Sequence, residues 1–224
     1  MHSTRRFRTV LAPMAAVLFL TAVALPTSGV AADRAWLVRV VGVSVDSDAH
    51  AVEVLGTSEG LSISTSSGFG FGLDLEYRAS RRLGVDFGVL SAAPSIGTSV
   101  GVGFKSISAS ADVTMTPISA GLNVHLTPDS RFDVYIGPLL AYVVYDSFTL
   151  TAGPGLSESF SSENDVGFGA NLGVDVGLDS KGRWAFNASI KYIDTTLEAK
   201  PSDGDAGRTD FDPTIFGFGF GYRF

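Results

Sequence analysis

Phe216-Gly217-Phe218-Gly219-Phe220-Gly221-Tyr222-Arg223-Phe224 closes the sequence, with an aromatic residue at every second position. A period of two puts the five aromatics on one face of a β-strand and the glycines and arginine on the other. In a water-soluble sheet the aromatic face would pack on a second layer, as in a β-sandwich edge strand. Here the chain stops on a phenylalanine, and the opposite face is almost bare of side chains. A strand that is greasy outside and small or polar inside suits a transmembrane β-barrel, whose outer layer is lipid.

The same alternation recurs upstream and predicts eight strands, over 36–45, 68–78, 82–90, 118–126, 132–145, 166–178, 184–197 and 211–224. In the second, Phe69, Phe71, Leu73, Leu75 and Tyr77 share the outer face, and Gly70, Gly72, Asp74, Glu76 and Arg78 share the inner one. Pro138 lacks an N–H, so a bulge or a local loss of pairing is expected there. The predicted fold is therefore all-β, an eight-stranded antiparallel transmembrane barrel.

The first residues agree with that location. Arg5, Arg6 and Arg8 form a positive segment, 10–25 is an apolar run, and Val30-Ala31-Ala32 offers small residues for cleavage. This predicts a signal peptide over 1–32 and a barrel over 33–224. Loss of those three arginines, with no acidic residue beside them, takes the formal charge from −7 to −10. An acidic chain of this kind is not expected to bind nucleic acid. There is no cysteine, so disulfides and thiolate metal sites are excluded.

Connection lengths orient the barrel. Residues 79–81, 127–131 and 179–183 are short turns, and 46–67, 91–117, 147–165 and 198–211 are long loops. Short turns belong on the periplasmic side and long loops outside the cell. Trp36, Tyr77, Phe132, Trp184, Tyr222 and Phe224 then fall near the lower membrane interface, where aromatic girdles form. Phe220, Tyr222 and Phe224 are the expected signal for the barrel-assembly machinery. The segment 91–117 carries alternation around 100–108 and is expected to extend strands three and four above the membrane. A ten-stranded barrel would need that segment as a further hairpin.

The chain resembles the OmpW family of bacterial outer-membrane proteins. The resemblance is carried by Trp36-Leu37-Val38-Arg39, by Pro117 through Asn123-Val124-His125-Leu126, and by Val134-Tyr135-Ile136-Gly137. Lys191-Tyr192-Ile193-Asp194-Thr195 and the ending Asp212-Pro213 … Gly219-Phe220-Gly221-Tyr222-Arg223-Phe224 complete it. Val124 stands where the family has an aromatic before the histidine, and Asp165-Val166 where it often has a tryptophan. The resemblance implies an outer-membrane location and an eight-stranded barrel with a hydrophobic lumen, through which small apolar compounds are proposed to cross.

Parity also describes the lumen. In the lower half the inward positions are Arg39, Glu76, Arg78, Asp86, Asp133, Asp175, Lys191 and Arg223, with Asp74 somewhat higher. Opposite charges in so narrow a space should pair and close the lower lumen. Above them the inward residues are Val41, Val43, Leu90, Leu139, Val143, Ile193 and Ile215, with Gly68 and Gly70 leaving space. Two readings of that upper half stand: an apolar cup open to the outside, or a packed core under folded loops. From a cup the exit would be sideways into lipid, and Pro138 could help to open the wall by removing a ladder hydrogen bond.

Other chemistry is excluded on position. His125 lies low in the lumen and His50 has only Asp46, Asp48 and nearby serines, so no enzyme is expected. The acidic segment Asp203-Gly204-Asp205 lacks the spacing of a calcium loop, and no metal or cofactor is expected. Two functions of different classes remain. One is passive uptake of small hydrophobic solutes by a monomeric barrel in outer-membrane lipid. The other is a structural barrel whose loops contact lipopolysaccharide, host surfaces, phage or bacteriocins.

Overall fold

A computed structural model of the chain describes residues 35–50, 61–102, 105–153, 156–201 and 207–224. The predicted signal peptide and the acidic tip at 203–205 lie outside the described residues. In chain order the strands are β1 (Trp36–His50), β2 (Leu61–Ser66), β3 (Gly68–Arg78), β4 (Leu83–Ala92) and β5 (Ser95–Val102). Then come β6 (Lys105–Asp112), β7 (Met115–His125), β8 (Phe132–Tyr145), β9 (Phe148–Gly153) and β10 (Leu156–Glu163). The last are β11 (Asp165–Gly177), β12 (Trp184–Asp194), β13 (Thr196–Pro201) and β14 (Gly207–Arg223).

Eight of these close a ring in the order β1-β3-β4-β7-β8-β11-β12-β14, every pair antiparallel. β14 pairs back onto β1 in one unbroken register from Leu37↔Arg223 to His50↔Asp210. The eight expected strands are these eight. Their alternation is what parity requires of a wall between lipid and a filled lumen. Phe69 and Phe71 are 78% and 74% exposed, whereas their inward neighbours Glu76 and Asp74 are buried. No protein layer covers the aromatic face among the described residues, and lipid takes its place.

The short turns are locked by side chains. The Ser80 hydroxyl accepts from the N–H groups of Arg82 and Leu83, and the Thr127 hydroxyl donates to the Phe132 carbonyl. Asp179 accepts from the N–H groups of Arg183 at 2.7 Å and Trp184 at 3.0 Å, with Gly182 at φ 63° completing that turn. Desolvation pushes the Asp179 carboxyl up, but these N–H donors outweigh it and hold the group below the usual carboxylate range.

Above the ring the long connections are themselves stranded. β2, β5, β6, β9, β10 and β13 continue the sheet from β14 in the order β13-β10-β9-β6-β5-β2. The segment 91–117 forms a β5–β6 hairpin that prolongs strands three and four, as expected: the β4–β7 ladder reaches Ala92↔Met115 and resumes in the same register at Ser95↔Asp112. Ala93-Pro94 and Val113-Thr114 interrupt the strands only locally, since the Val113 N–H donates to the Pro94 carbonyl at 2.9 Å, and the hairpin's edges pair with β2 and, through Ser110↔Thr151, with β9. The seventh strand is interrupted only at Thr195: β12 and β13 share one register on β14, from Trp184↔Tyr222 to Ala199↔Gly207, and the Phe211 N–H donates to the Thr195 carbonyl at 3.0 Å.

Two inward glycines act differently from the expectation that they leave space. A Cβ at Gly70 would collide with the Ser91 carbonyl, and one at Gly68 with the backbone of Ala93 and Pro94. They let β3 and β4 approach. Room for large inward side chains comes elsewhere: at Gly84 a Cβ would meet the Glu76 carboxylate, and at Gly173 the Tyr135 ring.

Candidate functional site

The lower lumen is filled by a network of ion pairs. Arg39 on β1, 1% exposed, reaches three other strands. Its Nη2 lies 2.6 Å from Glu76 Oε2 and 2.7 Å from Asp175 Oδ2, and its Nη1 lies 3.6 Å from Asp86. Arg78 lies 2.6 Å from Glu76 Oε1 and 2.5 Å from Asp133 Oδ2. Arg223 stands at the periplasmic edge, 3.7 Å from both Asp133 and Asp175. Lys191 pairs with Asp74 at 2.5 Å, where the floor meets the apolar residues above. All eight residues assigned to the floor by parity point inward, and all eight carry charged neighbours there.

Neutral side chains close the gaps. Asn187 donates to the Tyr135 hydroxyl at 2.9 Å and to Asp175 at 2.9 Å, while Asn171 donates to Asn123 at 3.2 Å. The Arg39 guanidinium lies 5.0 Å from the Tyr135 ring centre, a cation–π distance. His125 sits inside this network, with Nε2 2.8 Å from Glu76 and Nδ1 3.2 Å from Asp133. The sequence reading placed His125 low in the lumen but left it out of the floor. Its inward parity, two strands away from Glu76, was the available signal.

Val41, Val43, Leu90, Leu139, Val143, Ile193 and Ile215 are all buried above the floor and belong to one contiguous apolar cluster. Met115, Phe211 and Tyr145 complete it from above. The Tyr145 and Phe211 rings meet edge-on at 6.0 Å. Around them runs a polar rim: Thr195 and Thr196 both donate to Asp165 Oδ2, and the Thr195 N–H donates to Asp212. Between cluster and floor lies a cavity of only about 10 Å³, lined by Val41, Val43, Leu90, Ile215, Asp74 and Lys191 among others. That is the space of one water. Among the described residues the apolar cluster above the floor is packed. A larger cavity, about 590 Å³, lies below the floor at the periplasmic mouth, between Arg131, Asp179 and Arg223.

The wall is weakest along β7. Against β8 its pairs run from Met115↔Tyr145 to Gly121↔Leu139 and resume at Val124↔Ile136 in the same register. The two missing positions set Leu122 and Asn123 against Pro138 and Gly137. There is thus a local loss of pairing at Pro138 and no bulge, while Pro138 keeps its place opposite Ala170 on β11. On its other edge β7 skips two more positions against β4, at Thr116 and Pro117. Pro117 also lacks an N–H, and this second break went unread in the sequence.

A closed ring with lipid-facing aromatics and a sealed, charged lumen is the frame into which known proteins can be placed. The family described as outer membrane protein beta-barrel domain matches residues 15–224. The chain belongs to that family. Among solved structures, this outer-membrane barrel resembles OprG from Pseudomonas aeruginosa with a TM-score of 0.61 and 21% identity, covering 85% of this chain and 96% of OprG. It also resembles AlkL, determined in DMPC lipid bilayers, with a TM-score of 0.58 and 20% identity, over 88% of this chain and 93% of AlkL. These likenesses are of fold, and with the family match they agree with the eight-stranded outer-membrane barrel that the sequence resemblance implied. No curated protein matches the chain significantly. The barrel resides in the bacterial outer membrane.

Proposed function

We propose that this barrel takes up small hydrophobic molecules passively, from outside into the upper lumen and then sideways into outer-membrane lipid. The observation that carries the reading is the stacking of a continuous apolar cluster on a floor closed by ion pairs. A solute held against Leu139 and Val143 gains nothing by moving down among charges, whereas lipid is a solvent of similar quality. The interrupted β7–β8 ladder beside Pro138 and Leu139 is where the wall would part at least cost in hydrogen bonds. With the lumen packed, passage requires side chains and strands to move first. Signal peptide 1–32 would direct export, and the barrel-assembly machinery would insert a monomer through its terminal aromatics.

One observation favours a second reading. The apolar cluster is filled to about one water's space, as a structural core would be. The barrel would then be a platform whose outer strands contact lipopolysaccharide or another surface.

One experiment separates the two. Cysteine is absent, and Ala120↔Leu140 is a facing pair just above the ladder break. An Ala120→Cys/Leu140→Cys barrel in liposomes should lose uptake of a hydrophobic probe when oxidised and regain it on reduction. Leu139→Arg should abolish uptake in a folded barrel, since it puts a charge in the path. Wild-type uptake by both folded variants would leave the platform reading in its place.

A further inference from the structure

The floor holds five carboxylates, Asp74, Glu76, Asp86, Asp133 and Asp175, against four permanent cations, Arg39, Arg78, Lys191 and Arg223. Buried charge of one sign is costly, so a lumen one cation short calls for a proton. His125, buried completely, supplies the place for it. Its two ring nitrogens lie against two different carboxylates, Nδ1 hydrogen-bonded to Asp133 at 3.2 Å and Nε2 within 2.8 Å of Glu76 Oε1 but out of hydrogen-bond alignment with it. A neutral imidazole has a single N–H, so one nitrogen would point a lone pair at a carboxylate oxygen.

Neither carboxylate is free to take the proton instead. Glu76 also lies against Arg39 and Arg78, and Asp133 against Arg78 and Arg223. Asp86 has the poorest partner, Arg39 at 3.6 Å. A proton on Asp86 would balance the total, but Asp86 makes no ion pair with His125, so the imidazole lone pair would still face a carboxylate.

We propose that His125 is held as a doubly protonated imidazolium, the fifth cation of the floor, and that this proton latches the lower lumen shut. The groups facing it are Glu76 and Arg78 from β3, Asp133 and the Tyr135 ring from β8 at 5.5 Å, and Asp86 from β4 through Arg39. Removing the proton as pH rises leaves one of the five carboxylate charges uncompensated and drives Glu76 and Asp133 away from the ring. The latch is therefore closed at acid and neutral pH and released at alkaline pH. It does not depend on whether the barrel transports anything.

The test is made on the folded barrel in detergent, with ¹⁵N-labelled histidine and His50→Asn to leave His125 as the sole histidine beyond residue 32. At neutral pH both ring nitrogens of His125 should carry protons. A neutral ring with one protonated nitrogen would overturn the proposal. In urea, the wild-type unfolding midpoint should fall as pH is raised, and His125→Gln should start at the low value and lose that fall. A wild-type midpoint independent of pH, or an unchanged fall in folded His125→Gln, would equally overturn the latch. The His125→Gln/Glu76→Gln pair guards against simple damage: with four charges of each sign it should recover part of the lost midpoint.

Discussion

Glu76 meets Arg39 through one oxygen and Arg78 and His125 through the other, with no solvent exposure at all. Glu76→Gln keeps the shape and removes the charge, which leaves two guanidiniums facing an amide. Breaking a buried pair in this way typically costs about 3–5 kcal/mol. Asp129→Asn provides the comparison, since Asp129 meets Arg81 only at 3.7 Å and in solvent, where a pair is worth at most about 1 kcal/mol. The urea midpoint of the folded barrel should fall clearly for Glu76→Gln and hardly for Asp129→Asn; equal midpoints would show a wet, unsealed floor. At this scale the sequence told which way a side chain points but not whom it meets. Parity sent Glu76, Asp133 and His125 inward, yet their union depends on strand stagger, which no single strand encodes. Gly70 shows the same limit, since inward parity suggested an empty place and the neighbouring strand turned out to fill it.

β14 and β1 carry the closure of the ring, and their approach depends on a missing side chain. A Cβ at Gly219 would run into the Val40 carbonyl and the Val41 backbone, neither of which can turn aside. At Gly177 the nearest atoms are Arg131 Cγ and the Arg131 carbonyl at 3.8 Å, an ordinary contact. Gly219→Ala should therefore part the seam and destabilise the barrel by about 1–3 kcal/mol, the usual cost of overpacking, while Gly177→Ala should be close to neutral. Heat-modifiable mobility on gels, read against urea, measures both; a Gly219→Ala barrel as resistant as wild type would mean that the seam is loose. The long strands were legible because lipid on one face and a narrow lumen on the other enforce strict alternation over ten or more residues. β2, β9 and β10 were not, because strands of six to eight residues rich in serine and threonine lose the contrast between their two faces. Pro117 and Pro138 were visible as residues, but that both breaks fall on β7 emerges only once the neighbours are known.

At the scale of the molecule, the last residue has two separable roles. Phe224 closes the periplasmic end by donating its N–H to the Trp36 carbonyl at 3.0 Å and accepting from the Trp36 N–H at 3.1 Å. Its ring also ends an outward aromatic ladder, stacked with Tyr222 at 6.5 Å, while Tyr222 meets Trp184 edge-on at 4.9 Å. Deleting Phe224 removes both the hydrogen bonds and the ring. Tyr222→Ser/Phe224→Ser removes only the aromatic side chains, since any residue can supply the same backbone groups. If the terminal aromatics serve recognition by the assembly machinery, both variants should accumulate in the periplasm with little folded barrel in the outer membrane, although synthesis and export continue. The purified double-serine chain should nevertheless refold into detergent micelles, because its ladder with β1 is complete, whereas the deletion should refold with a lowered urea midpoint. Folded double-serine barrel in the outer membrane at wild-type levels would show that the aromatics serve the lipid interface alone, and that closure of the ring needs only the backbone of its last residue.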